Sequence, residues 1–129
     1  MPPERGLLDT SVFIARETRR PLGALPDSAA VSVVTLAELH LGVLVAPRPS
    51  VRTQRLRTLE DLLNTFEIVP IDSEVAFTFA ELVSRTKRAG ARANLMDTWI
   101  AATAVTHALP IYTQDDDFAQ IPGVRVYRV

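Results

Sequence analysis

Four times along this chain of 129 residues an acid stands just past a run of strand-forming residues or at the opening of a helix. Asp9 follows Gly6-Leu7-Leu8. Glu38 lies one helical turn beyond the β-branched run Ala30 to Val34 and Thr35. Asp97 falls in the first turn of a helix that begins near Asn94, and Asp115, Asp116 and Asp117 follow Ile111-Tyr112-Thr113. Carboxylates gathered in one cleft repel each other, at a cost that grows as the local dielectric falls. A cation removes that cost. Oxygen ligands without histidine or cysteine suit Mg²⁺ or Mn²⁺ rather than zinc. Carboxylate-held divalent ions that activate water and shield a scissile phosphate are the equipment of nucleases.

Each acid also has a purely structural reading. Asp9 and Asp115 can cap the helices that follow them. Thr35-Leu36-Ala37-Glu38 fits a capping box, and Asn94-Leu95-Met96-Asp97 resembles one with aspartate in the glutamate position. Acids near helix N-termini are favoured by the macrodipole by roughly 0.3–1 kcal/mol. One such junction needs no function. Four junctions that present a carboxylate to the same sheet edge are less easily explained by capping, and their meeting is a demand placed on the fold.

The elements that must satisfy this demand alternate. Strands are expected at Gly6–Leu8, Ala30–Val34, Glu67–Pro70, Pro110–Thr113 and Val124–Tyr127, where short β-branched or apolar runs are bounded by turn residues. Helices are expected over Ser11–Arg19, Thr35–Leu44, Val51–Thr65, Ser73–Ala89 and Asn94–His107, with a short one at Asp115–Gln120. In Thr35–Leu44 the spacing puts Leu36, Leu39 and Val43 on one face. In Val51–Thr65 it turns Leu56, Leu59, Leu62 and Leu63 inward and most of Arg52, Arg55 and Arg57 outward. Strands alternating with helices predict βαβ units, a mostly parallel five-stranded sheet and helices on both faces. Such sheets place their sites at the C-terminal ends of strands.

The totals bound the rest. The length suits a single domain over residues 1–129. Apolar residues at 47% and charged residues at 22% are ordinary for a soluble globular protein. There is no cysteine, which excludes disulfide and thiolate chemistry and fits a reducing, cytoplasmic setting. Met1 to Gly6 carries Glu4 and Arg5 and no apolar stretch of a signal peptide. No apolar run nears the ~20 residues that span a bilayer. The net charge of −1 does not advertise a nucleic-acid partner. With Asp9, Glu38, Asp97, Asp115 and Asp117 assigned to a metal pocket, however, the remainder of the chain stands at +4.

The motifs in order resemble those of PIN-domain ribonucleases, in particular the VapC-type toxins of type II toxin–antitoxin systems. The matching pieces are Leu7-Leu8-Asp9-Thr10-Ser11, Ser32-Val33-Val34-Thr35-Leu36-Ala37-Glu38-Leu39, Met96-Asp97-Thr98-Trp99-Ile100-Ala101-Ala102-Thr103-Ala104 and Thr113-Gln114-Asp115-Asp116-Asp117-Phe118. The resemblance implies a PIN-like α/β/α sandwich. It implies that Asp9 ligates a catalytic Mg²⁺ (with Mn²⁺ as a substitute) and that Glu38 and Asp97 complete the pocket. Asp115 would be the fourth acid and Asp117 an accessory one, although the tripled aspartate leaves that position open between them. Asp116 would face solvent, and Ser11 and Thr113 would supply hydroxyls. Thr98-Trp99 departs from the small apolar residue usual there. The resemblance further implies RNA cleavage leaving a 5′-phosphate and a 3′-hydroxyl. Its implied partners are a cognate antitoxin that wraps the chain and blocks the pocket, and a second copy in a homodimer, with Val51–Thr65 a candidate surface for either.

No histidine base is required: His40 lies off the Glu38 face, and His107 sits at a helix end where the dipole suits it. Arg16, Arg19 and Arg20 follow Asp9, while Arg85, Lys87, Arg88 and Arg92 precede Asp97. Both groups suit either phosphate contacts or a solvated helix face. Trp99 suits base stacking, core or an interface. A receiver domain would need a lysine after the last strand, yet the one lysine, Lys87, is on a helix. A haloacid-dehalogenase-type phosphatase would need Asp-x-Asp where Asp9-Thr10-Ser11 stands. A housekeeping PIN nuclease without an antitoxin and a non-catalytic PIN-like module remain as alternatives, separable by growth arrest on expression and by cleavage.

Overall fold

The computed structural model describes residues 5–129; Met1–Glu4, part of the stretch read as lacking a signal peptide, lie outside them. Five strands, β1 (Arg5–Leu8), β2 (Ser28–Ser32), β3 (Glu67–Val69), β4 (Ile111–Thr113) and β5 (Val126–Arg128), form one sheet in the order β3-β2-β1-β4-β5. Every pairing is parallel. Five helices complete the chain: α1 (Thr10–Glu17), α2 (Val33–Leu44), α3 (Pro49–Thr65), α4 (Ser73–Arg88) and α5 (Leu95–Thr106).

Strand side chains alternate between faces, and that alternation builds two cores. Leu7, Ala30 and Ile111 point to one side, where they meet Val75 and Leu82 of α4, Ile100, Ala101 and Ala104 of α5, and Phe118. Leu8, Val31 and Tyr112 point to the other, against Val12 and Phe13 of α1, Leu39 and Val43 of α2, and Leu59 and Leu62 of α3. This is the expected three-layer α/β/α sandwich. The Tyr112 ring lies across β1 at Gly6, where an added Cβ would fall 2.4 Å from its Cε2. A glycine in the central strand leaves that space.

The helix ends follow local chemistry. Asp9, Ser32, Asp72 and Asn94 cap α1, α2, α4 and α5 through side-chain oxygens. Pro49 opens α3 at a position that needs no N–H. Arg85, Lys87 and Arg88 crowd the last turn of α4, and Gly90, at φ +71°, turns the chain out of it.

Several expectations change. The second strand ends at Ser32, not Val34, because the Ser32 hydroxyl accepts from Val34 N–H and starts α2 early. Thr35 is therefore inside the helix, fully buried, and is not the cap of a box with Glu38. Asp115–Gln120 is not a helix. Ala119 N–H bonds to Asp116 O and Ile121 N–H to Phe118 O, three-residue turns that stop before Pro122. On α3, Leu59 and Leu62 are buried, but Leu56 and Leu63 stay exposed because only one flank of this long helix packs on α1 and α2. The fifth strand starts two residues later than expected and ends one later, at Val126–Arg128.

Candidate active site

From β1 the chain steps outward to β2 and β3 with α1–α3 on one face, then returns by way of α4 and α5 on the other to lay β4 against β1. The strand order reverses between β1 and β4, and the crevice beyond the carboxyl ends of strands at such a reversal is where open α/β sheets bind ligands. Asp9 is the first residue after β1, and Thr113 is the last of β4.

Asp9 is 3% exposed. Its Oδ2 accepts from Ser11 Oγ at 2.8 Å and from Thr113 Oγ1 at 3.0 Å. Each hydroxyl in turn accepts a backbone N–H, Ser11 Oγ from Gln114 at 3.0 Å and Thr113 Oγ1 from Asp115 at 3.0 Å. With acceptor capacity used this way, the hydroxyl protons are directed toward Asp9. On the other side of α1, Thr10 Oγ1 donates to Glu38 Oε1 at 2.7 Å.

The junctions do meet. The Asp97 carboxyl is pushed up to about 7, first by burial and then by the charges of Asp9, Asp117, Glu38 and Asp115. Acids from the other three junctions thus act on the one at the start of α5. Asp117 acts on Asp97 more strongly than Asp115 does. Asp115 is itself raised by burial, by the charges of Asp117 and Asp9 and by a hydrogen bond with Asp117, against a lowering from Arg128. Asp116 turns outward, exposed, and pairs with Arg128. His40 and His107 are exposed, and His107 closes α5 as its C-cap.

Among the described residues no three acidic or histidine side chains are already placed as a cage for an ion. Mg²⁺ takes only one or two carboxylates directly while keeping several waters. An all-oxygen set that strains its own ionisation fits a hard divalent ion bound largely through water.

The PIN-domain model of protein families matches residues 6–124. The chain is 47% identical over 132 aligned residues to Ribonuclease VapC5 of Mycobacterium tuberculosis, covering 98% of this chain and 97% of that protein. The chain belongs to the PIN-domain family, among its VapC-type ribonucleases. A second relative, Ribonuclease VapC4 of Mycobacterium tuberculosis, is 46% identical with 97% of each chain covered. The crystal structure of VapBC-5, a member of the VapBC family of toxin–antitoxin systems from Mycobacterium tuberculosis, contains a chain similar to this one. It superposes at a TM-score of 0.88 and 45% identity, over 98% of this chain and all of that one.

Other residues of this VapC-type chain fall in less central places. Arg16 lines a cleft between α1 and α3 with Glu17, Thr58 and Asp61, and Arg88 donates to Ser84 along α4. Arg92 borders a small cavity at the turn into α5 with Lys87 and Thr98. Arg19 and Arg20 are exposed just after α1. Trp99 stacks on Phe79, centroids 3.6 Å apart and planes 7° from parallel, so its ring joins α5 to α4. Thr10, Thr35 and Gln114 carry no expected site role, Thr35 being expected only as a helix cap; nothing in their types singles them out beyond their nearness in sequence to Asp9, Glu38 and Thr113.

Two outcomes follow for the VapC-type site. Thr113→Val keeps the shape of a fully buried side chain but removes a donor to Asp9 and an acceptor for Asp115. Loss of such an orienting contact lowers metal affinity or cleavage about 10–100-fold, measured by Mn²⁺ titration beside single-turnover cleavage. A cation bound beside Asp97 would also displace its proton. Apparent Mn²⁺ affinity should therefore rise up to about tenfold per pH unit below pH 7 and level off above it. Titrations at pH 6 and pH 8 that give equal affinities would contradict this.

Proposed function

We propose that the chain is the toxin of a type II toxin–antitoxin system, a Mg²⁺-dependent endoribonuclease whose cutting of RNA stops translation and growth. The observation that carries this reading is the convergence of Asp9, Glu38, Asp115 and Asp117 on Asp97 at the strand-order reversal. When bound, Mg²⁺ (or Mn²⁺) supplies an activated water and charge neutralisation at the scissile phosphate. Asp9, oriented by Ser11 and Thr113, and Asp97, at the capped start of α5, would hold it, with Glu38, Asp115 and Asp117 completing the set directly or through water. A cation there would favour the ionised form of Asp97. Cleavage leaves a 5′-phosphate and a 3′-hydroxyl. Arg16, Arg19, Arg20, Arg88 and Arg92 are proposed phosphate contacts.

The proposed partners are a cognate antitoxin and a second copy of the chain. A groove of about 440 Å³ runs from Thr10 and Glu38 past Ile14, Leu41 and Val45, and its apolar wall suits an antitoxin segment ending at the acids. Exposed Leu56 and Leu63 extend apolar surface along α3. No helix among the described residues is long and apolar enough to cross a membrane, and a cytoplasmic site of action is proposed.

The test is incubation of purified chain with total cellular RNA, with and without Mg²⁺ or Mn²⁺, beside Asp97→Asn, with the cut ends mapped. Discrete metal-dependent cuts absent from the mutant are expected. A folded, inhibitor-free chain that cuts nothing with either ion would overturn the nuclease reading, and growth unaffected by expression would overturn the toxin reading.

A further inference from the structure

The two residues that follow β1 reach in opposite directions. Asp9 turns toward β4, to the hydroxyls of Ser11 and Thr113. Thr10, the first residue of α1, turns toward α2. Its Oγ1 lies 2.7 Å from Glu38 Oε1 and 3.1 Å from Thr35 Oγ1. The hydroxyl has one proton to give, and it is donated toward both. The shorter contact, to a carboxylate, takes the larger share, because charge-assisted hydrogen bonds are the stronger kind. Thr35 is fully buried and Thr10 is 9% exposed, so the bond is shielded from competing water. Thr10 of α1 thus reaches across to two residues one helical turn apart on α2, Thr35 and Glu38.

Glu38 needs such a hold. Its side chain is long and only partly buried, borders the open groove along α2, and faces the charge of Asp97. Unrestrained, it would swing along the groove, away from the like charges, with the rotamer freedom of a long side chain as a further drive. The other acids lack this freedom, since aspartates are shorter and Asp9 is already pinned.

We infer that Thr10 is a positioning residue that holds Glu38 toward the acid cluster, with Oε1 engaged and Oε2 left for the ion or its waters. This rests on the proposed role of Glu38 in the metal site. The junction between β1 and α1 thereby sets both flanks of that site from adjacent residues.

The test is Mn²⁺ binding to the intact chain without RNA, followed by the electron paramagnetic resonance of free Mn²⁺, for wild type, Thr10→Val, Thr10→Ser, Glu38→Gln and the double variant Thr10→Val/Glu38→Gln. Thr10→Val is expected to weaken Mn²⁺ binding about tenfold. Thr10→Ser, which keeps the hydroxyl, is expected to restore most of that loss, and Thr10→Val is expected to add nothing once Glu38 is Gln. Wild-type affinity in Thr10→Val beside a weakened Glu38→Gln overturns the inference. So does a Thr10→Val loss that persists undiminished in the Gln background. Unchanged affinity in Glu38→Gln removes Glu38 from the metal site, and the inference falls with that reading. If Thr10→Val does not fold, Thr10→Ala and Thr10→Ser run the same cycle, with a loss in Thr10→Ala that Thr10→Ser restores expected and full affinity in Thr10→Ala overturning the inference.

Discussion

Asp97→Asn is expected to abolish metal-dependent RNA cleavage and, at pH 8, to raise the melting temperature of the metal-free protein. Metal-borne charge stabilisation in phosphoryl chemistry is worth several kcal/mol, and each 1.4 kcal/mol is a factor of ten, so the loss of rate is about a thousandfold or more. The gain in stability comes from the same carboxyl. In the folded chain it is pushed up to about 7 by burial and by Asp9, Asp117, Glu38 and Asp115. In the unfolded chain it ionises near the ordinary value of about 3.9. Between those values the folded state binds the extra proton, so this group makes the protein less stable as pH rises from about 4 to about 7, with no further change above. Asparagine has no charge to repel, and Asn94, which caps α5 through bonds to Met96 and Asp97 N–H, is untouched. The advantage of the variant over wild type should therefore be absent near pH 4 and grow to a plateau by pH 8. Paired thermal melts in chelator and single-turnover cleavage in Mg²⁺ measure the two halves. A mutant that cuts at the wild-type rate would remove Asp97 from the site.

Ile100→Ala, one turn along the same helix, does the converse. Ile100 is fully buried with Leu7, Ile111 and Val75 between α5 and the sheet. Truncating a buried isoleucine to alanine costs about 2–5 kcal/mol, the upper part of that range applying where the cavity cannot collapse. Neighbours such as Ala101, Ala102 and Ala104 have no side chain with which to fill the gap. Urea unfolding should show the midpoint falling with the slope unchanged. At low temperature, where the folded form still dominates, cleavage per folded molecule should stay near wild type, because no acid loses a partner. A loss below about 1 kcal/mol would show that α5 settles onto the sheet without Ile100. One helix thus separates the two roles: its first turn works against stability for chemistry, and its buried face supplies the stability.

The order of elements, the parallel sheet and the acids themselves were legible in the sequence, because strand and helix periodicity and turn residues are local signals. Leu7 and Leu8 announced a central buried strand, and Asp9, Glu38, Asp97 and Asp115 stood at its edge by position alone. Boundaries were less legible. Ser32 and Thr35 are both plausible caps by type, and only the bond from Val34 N–H to Ser32 Oγ decides between them. Asp115–Gln120 has helix-like composition, but Pro122 and the successive three-residue turns stop it. What the tertiary structure alone decided was convergence. Residues 9, 38, 97, 115 and 117 act on one another because β4 returns to pair with β1 after the chain has crossed to the other face of the sheet. That return also aims the Thr113 hydroxyl at Asp9, ranks Asp117 above Asp115 in its effect on Asp97, and turns Asp116 away to Arg128. Electrostatic coupling falls with distance in space, not with separation along the chain. Residue types and spacing therefore indicated the chemistry, while its strength and partners waited on the fold.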